Sequence, residues 1–305
     1  MKRFYCLGSF NVDLTFQVPR MPEEHEKLRC TDVHLSLGGS AANTAHWLAR
    51  LGVPVAMLGA VGVDPLGDWC VEDLRRAGVD VTRVQHVPDA ATGVAAVFVN
   101  PASKRMVTSG GANARFDPDR LTDGLFGPDA HVHVATPLKP IVVPVLQAAR
   151  RSGATTSCDL DEPPGRDLTG LLDICFMTRS CLERHCGSIS LREAFGAPAM
   201  AGPTALVVTL GAEGAAAVTD RADWSVPVDP VDVVDRTGGG DAFDAAFLAA
   251  WSRGESWLAA LDRGLGLARQ VIGRLGSRAD AALLRPGDRT AYGLDSRVAD
   301  SRAGG

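Results

Sequence analysis

The chain has 305 residues, 46% of them hydrophobic and 22% charged, with a formal net charge of −5. This suits one large α/β domain or two small ones, and the acidic balance gives no electrostatic reason to expect nucleic acid or an anionic membrane as a partner. No apolar run reaches the roughly 18 residues of a transmembrane helix, and seven cysteines without a Cys-x-x-Cys spacing argue for a cytoplasmic home rather than a disulfide framework.

Residues 4–9 read as a first strand and not as a signal peptide, because Asn11 and Asp13 interrupt the apolar stretch at once. Apolar residues at 41, 45, 48, 49 and 51 form a helical stripe that Gly52 closes. A strand at 53–60 and a helix at 68–77 follow. Residues 12–37 and 81–109 have a different texture. Their β-rich stretches at 12–18 and 93–99 predict a small sheet inserted into the α/β body. Beyond residue 117, strands at 131–135, 155–160, 174–177 and 205–210 alternate with helices, notably 141–152. Residues 215–219 pair as a hairpin strand, and long helices occupy 241–251 and 257–275. Such alternation predicts a mostly parallel sheet with helices on both faces. The polar, glycine-ended stretch 291–305 reads as a flexible tail.

The chemistry concentrates in Asp235-Arg236-Thr237-Gly238-Gly239-Gly240-Asp241. Its three glycines sit between an apolar run at 231–234, read as a strand, and an alanine-rich helix. Glycine lets the backbone approach an anion closely, and the free N–H groups of a helix start favour negative charge. Asp241 would repel a phosphate in the ground state. As acceptor of a proton from an attacking hydroxyl it makes sense, with the glycine N–H groups stabilising charge on the moving phosphoryl group. A plain glycine-rich helix entry with an acidic first turn is the competing reading. Asn11 and Asp13 come at the end of the first strand, where open parallel sheets bind ligands, and they can bond hydroxyls. Gly38 and Gly39 precede a helix that carries Asn43 in its first turns.

These marks, in this order, resemble the ribokinase-like family, often called the PfkB sugar kinases, over residues 3–289. The stretch 235–241 is similar to the family's Asp-Thr-x-Gly-Ala-Gly-Asp signature. Gly38-Gly39-Ser40-Ala41-Ala42-Asn43 is similar to its Gly-Gly-x-x-x-Asn. Gly8-Ser9-Phe10-Asn11-Val12-Asp13, Gly59-x-x-Gly62-x-Asp64-x-x-Gly67, Gly111-Ala112-Asn113 and Thr209-Leu210-Gly211-Ala212-Glu213-Gly214 complete the set. The resemblance implies a three-layer α/β fold, with residues 1–290 as one kinase domain and a small β lid inserted at about 12–37 and 81–109. It implies that Asp241 is the catalytic base beside Gly238, Gly239 and Gly240. The acceptor would lie among Asn11, Asp13, Gly38, Gly39 and Asn43. ATP would lie against Thr209, Gly211, Gly214 and Thr237. Mg2+, activation by a monovalent cation and a homodimer through the lid also follow from the resemblance.

The chain departs from the family where Asn-x-x-Glu, which helps place magnesium and phosphates, is expected. Thr178-Arg179-Ser180-Cys181 stands there, with Glu183 two residues further on. The metal ligands are therefore left unassigned. Arg179 can carry charge towards phosphates or simply be solvated. Ribokinases proper have Lys at the place of Ser40 and Glu at the place of Ala135, before Thr136-Pro137, so ribose is not the favoured acceptor. His131-x-His133 places both rings on one strand face, as a metal pair or as buried histidines. Asp159 and Asp161 flank a strand end, and Cys175, Cys181 and Cys186 cluster without metal-site spacing. Asp235 is read as a brace of its loop. No P-loop motif is present, and Gly264-Leu265-Gly266 is no dinucleotide fingerprint. The leading expectation is ATP-dependent phosphorylation of a hydroxyl on a small sugar. The alternatives are a nucleoside kinase of the same fold and a nucleotide- or sugar-binding regulator that has lost turnover.

Overall fold

A computed structural model describes residues 2–278 except 101–102, 122–123, 136–138, 161–165, 188–189, 198–199 and 275. Asp161, the Thr136-Pro137 step and the stretch 279–305 with the expected tail lie outside the described residues.

Among the described residues fourteen strands form three sheets. β1 (Arg3–Gly8), β4 (Val55–Leu58), β9 (Ala130–Ala135), β10 (Thr155–Leu160), β11 (Ile174–Thr178), β12 (Ala205–Thr209), β13 (Ala215–Thr219) and β14 (Asp223–Val226) make the central sheet, in the order β14-β13-β12-β11-β10-β9-β1-β4. It is parallel from β4 to β12, and β13 and β14 close that edge as antiparallel strands. β2 (Asn11–Gln17), β3 (Asp32–Gly38), β7 (Val94–Asn100) and β8 (Ser103–Ser109) make a separate four-stranded sheet, ordered β3-β2-β7-β8. β5 (Ala60–Gly62) pairs with β6 (Gln85–Val87).

Helices cover both faces of the central sheet, so its strands are apolar on both sides. Phe4 and Cys6 of β1 enter one core with α1 (Ser40–Arg50), α2 (Pro65–Ala77), α7 (Gly239–Ser252) and α8 (Trp257–Ile272). Tyr5 and Leu7, pointing the other way, enter a second core with α3 (Lys139–Arg151), α4 (Arg166–Thr169), α5 (Arg179–Cys186) and α6 (Leu191–Gly196). The helix α7 is buried almost all round. Ala242, Ala245, Ala246, Ala249 and Ala250 are each at most 5% exposed, and such small side chains let it pass close to α1 and α8.

Five sequence expectations shift. The strand at 53–60 is two strands, β4 and β5, with Gly59 between them. The helix expected at 68 begins at Pro65, because Asp64 caps it by accepting from the Gly67 N–H at 2.8 Å. The helix 257–275 ends at Ile272. The apolar run before the glycines is not a strand. Residues 227–238 form an irregular segment, and Val233 and Val234 are exposed. α7 also begins at Gly239, so two of the three glycines lie inside its first turn.

Candidate active site

The site is built where the four-stranded sheet meets the start of α7. Asn11 and Gly38 face each other across the β2–β3 ladder, and Asp13 pairs with Ser36. A methyl group on Gly38 would stand 2.4 Å from Asp13 Oδ2, so only a residue without a side chain leaves that carboxylate its place. Gly39 has a φ of 92° and turns the chain into α1 hard against the Ser9 carbonyl. Asp13 is 9% exposed. Burial pushes its carboxyl above the ordinary value, although Arg278 and Lys104 pull it down.

Asn43 sits in the first turns of α1 and joins this half to the other. Its Nδ2 donates to Asp241 Oδ2 at 2.7 Å, and its Oδ1 accepts from Arg278 Nε at 2.8 Å and Ser277 Oγ at 3.1 Å. Donors on one side and a carboxylate on the other fix which way the amide points. Arg278 spans the assembly, donating also to the Gly38 carbonyl at 3.0 Å and to Asp73 Oδ2 at 2.7 Å. Asp241 is 8% exposed. It lies in the first turn of α7, whose N-cap is Gly238 at φ 77° and whose first N–H groups have no side-chain cap.

On the far side of Gly239 and Gly240 opens a cleft of about 700 Å³, a size that suits a drug-sized ligand. Its walls come from the ends of β11 and β12, the segment 227–236 and α8. Thr209, Gly211, Gly214, Gly239 and Gly240 line it, with Val231, Val233, Phe243 and Leu265 as apolar surface and Arg236 and Glu183 as charges. Val231 and Val233, from the run that spelled a strand in the sequence, thus form a wall of this cleft. Thr237 and Gly238 lie elsewhere. Thr237 Oγ1 donates to Asp235 Oδ1 at 2.7 Å and accepts from Lys104 Nζ at 2.9 Å, while Gly238 backs onto Ser277.

Asp235 braces its loop, accepting from the Thr237 N–H at 3.0 Å and the Gly276 N–H at 3.1 Å. Burial works against its charge, but these bonds hold its carboxyl below the ordinary value. Asn113 is a strut. It bonds the Phe10 N–H and carbonyl, each at 2.8 Å, and Asn11 Oδ1 at 3.1 Å. Asp64, besides capping α2, accepts from the Thr92 N–H and hydroxyl.

At the departure from the expected Asn-x-x-Glu, Thr178 caps α5 by accepting from the Cys181 N–H at 3.1 Å. Cys181 is buried in the core and does not reach the cleft, whereas Glu183 lines it. Arg179 is paired with both carboxylate oxygens of Glu213. His131 and His133 are fully buried and share Ser157 Oγ at 2.7 and 2.8 Å. Burial lowers His133 to about 3, so the ring is neutral and structural. No cluster of three metal-ligating side chains occurs among the described residues. Sequence reasoning missed Arg278, Ser277 and Lys104.

Comparison with known proteins shows the family and the fold. Residues 1–282 match the family described as pfkB family carbohydrate kinase. An ATP-dependent ribose-1-phosphate kinase of Halopiger xanaduensis is 29% identical, over 91% of this chain and 94% of that one. A nucleoside kinase of Methanothermobacter thermautotrophicus is 29% identical over 82% of both chains. The structure of Arabidopsis thaliana ribokinase complexed with ribose and ATP superposes with a TM-score of 0.83, at 26% identity, over 96% of this chain and 98% of that one.

Proposed function

This chain belongs to the pfkB family of carbohydrate kinases, and from that premise we propose that it moves the γ-phosphoryl group of ATP onto a hydroxyl of a small sugar or sugar phosphate, with Asp241 as general base. The observation that carries this reading is the Asn43–Asp241 hydrogen bond. It sets the carboxylate between the polar pocket of Asn11, Asp13, Gly38 and Gly39 and the uncapped start of α7. Asn43 orients the carboxylate, and the carboxylate takes the acceptor's proton. The N–H groups of Gly239 and Gly240 at the helix start meet the charge that builds on the phosphoryl oxygens. The nucleotide lies in the cleft against Thr209, Gly211 and Gly214, with the valine wall for its apolar base. In this reading residues 1–290 are one kinase unit, with the four-stranded sheet as its lid.

The lid's own register favours a sugar over a nucleoside. Phe16 pairs with Phe98 and Val33, on the sheet face opposite Asp13. The stacked Phe16 and Phe98 rings, 5.3 Å apart, are therefore turned away from the acceptor pocket and cannot hold a base there.

Mg2+ enters with ATP in this reading. It is commonly held by one or two carboxylates together with substrate phosphates and water, and a cleft offering Glu183 and Asp229 fits that requirement. Mg2+ would neutralise charge on the phosphates. Seven cysteines outside any disulfide support a cytoplasmic location, and among the described residues no helix is long and apolar enough to cross a membrane.

The reading is tested by ATP consumption across ribose, deoxyribose, ribose 1-phosphate, keto-sugar acids and nucleosides. Phosphorylation of at least one sugar or sugar phosphate is expected, and nucleotide binding with no acceptor turned over would favour a regulator instead. We also propose a homodimer through the outer lid face, where Val33 and Leu35 are each 50% exposed and Val107 is 68% exposed. Sedimentation should give twice the chain mass, and a monomer at micromolar concentration would count against it.

A further inference from the structure

Lys104 stands on the lid strand β8, and the roles above assign this side chain nothing. Strand register fixes its direction. It pairs with Val99, which pairs with Gln17, so Lys104 shares the sheet face of Gln17, Thr15 and Asp13. From there its ammonium crosses to the loop before α7 and donates to Thr237 Oγ1 at 2.9 Å. The hydroxyl hydrogen of Thr237 already goes to Asp235, so the lysine occupies an oxygen lone pair. Thr237 is followed directly by Gly238, the N-cap of the helix that carries Asp241. Among the described residues this is the one hydrogen bond of Lys104, and an ammonium has three donors. The field of this charge reaches carboxylates on both sides of the gap, lowering Asp13 and Asp235 alike.

A hydrogen bond from an exposed lysine to a neutral hydroxyl does little for stability, so the contact is a poor reason to carry a cation across the site. The place it occupies is a better one. We propose that Lys104 is a catalytic residue, borne by the lid, whose ammonium leaves the Thr237 hydroxyl for the γ-phosphoryl oxygens of ATP as transfer proceeds. This rests on the kinase reading above. In the step, the acceptor oxygen forms its bond to the γ-phosphorus, and the bond from that phosphorus to the β,γ-bridging oxygen breaks. The electron pair departs with ADP and the acceptor's proton goes to Asp241. Lys104 stays protonated throughout and balances charge spread over the equatorial oxygens. Because the cation arrives only with the lid, closure and charge stabilisation become one event, and an open lid leaves ATP without it.

The test uses the full chain and compares ADP with the non-hydrolysable β,γ-imido analogue of ATP by calorimetry in the presence of Mg2+. In Lys104→Met the imido analogue is expected to bind about tenfold more weakly, as befits a lost hydrogen bond to a charged group, and ADP within about twofold. The turnover number on the best acceptor should fall about 100-fold, acceptor KM should change little, and Lys104→Arg should recover part of the rate. Equal weakening of both nucleotides, or a loss confined to acceptors that carry their own anionic group, overturns the assignment. An unaltered chain that binds neither nucleotide overturns the kinase reading beneath it.

Discussion

Asp241→Asn is expected to turn over the best acceptor about 1,000-fold more slowly than the unaltered chain, the middle of the range for loss of a positioned general base. The substitution keeps the shape of the side chain, and its amide oxygen can still accept from Asn43, so the fold should persist. What it removes, on the mechanism proposed, is the group that receives the acceptor's proton. Nucleotide affinity should hold or rise slightly, because a negative charge beside the phosphates has gone. Steady-state turnover and calorimetry on the same preparation separate the two effects. Equal rates in the two proteins would eliminate Asp241 as the base, whatever the nucleotide affinity.

Arg278→Met should be the most damaging change to stability around the site. The Arg278 side chain is 5% exposed and paired with Asp73, and its three nitrogens serve Asn43, Asp73 and Gly38 separately. Removing one partner of a buried pair costs about 3–5 kcal/mol, and the half-exposed setting of Asp73, at 31%, places the expectation at the lower end. Lysine at 278 should not rescue, since one ammonium cannot reproduce a guanidinium's fork. The pH dependence has a definite sign. Burial tends to raise the Asp73 carboxyl, but the neighbouring His46 and Arg278 outweigh it and hold it below the ordinary 3.8. A depressed folded pKa gives stability that is full above the unfolded value and lost as pH falls through the folded one. The stability gap between the two proteins should therefore be full above pH ~4 and narrow in more acidic solution. Urea unfolding across pH measures it, and a difference under about 0.5 kcal/mol at neutral pH, the scale of an ordinary surface change, would sink the proposal that Arg278 ties the site together.

Much of the site was legible because its parts are local in sequence. Asn11 and Asp13 follow the first strand, Gly38 and Gly39 open α1, and 235–241 leads into α7, so each stretch shows its residue types at short spacing. The two-faced central sheet was legible for the same reason, as continuous apolar strands alternating with helical stripes. What escaped was long-range or ambiguous in composition. Arg278 meets Asn43 across 235 residues, and Lys104 meets Thr237 across 133. Neither cation carries a local signature, since a lysine on an exposed strand and an arginine after Gly-Ser look like ordinary surface. Val231, Val233 and Val234 misled because β-branched residues suit a strand. Here tertiary position overrides propensity and turns two of them into cleft lining. The substituted stretch at Thr178 was visible as a departure, but only burial revealed that Cys181 belongs to the core and Glu183 to the cleft.

The crossing of Ser277 and Arg278 onto Gly38 and Asn43 also bears on how the enzyme comes into being. Chains grow from the N-terminus on the ribosome, and domains tend to fold as units once their parts emerge. Asn43 precedes the groups that orient it by a long stretch of chain, since Ser277 and Arg278 follow it by 234 and 235 residues. A nascent chain stopped after α8 would hold Asp241 and both glycine loops, yet lack the clamp that aligns them. Alignment of Asn43 is thereby deferred until the segment that follows α8 has emerged, so fragments that end before Ser277 and Arg278 lack the contacts that orient its amide.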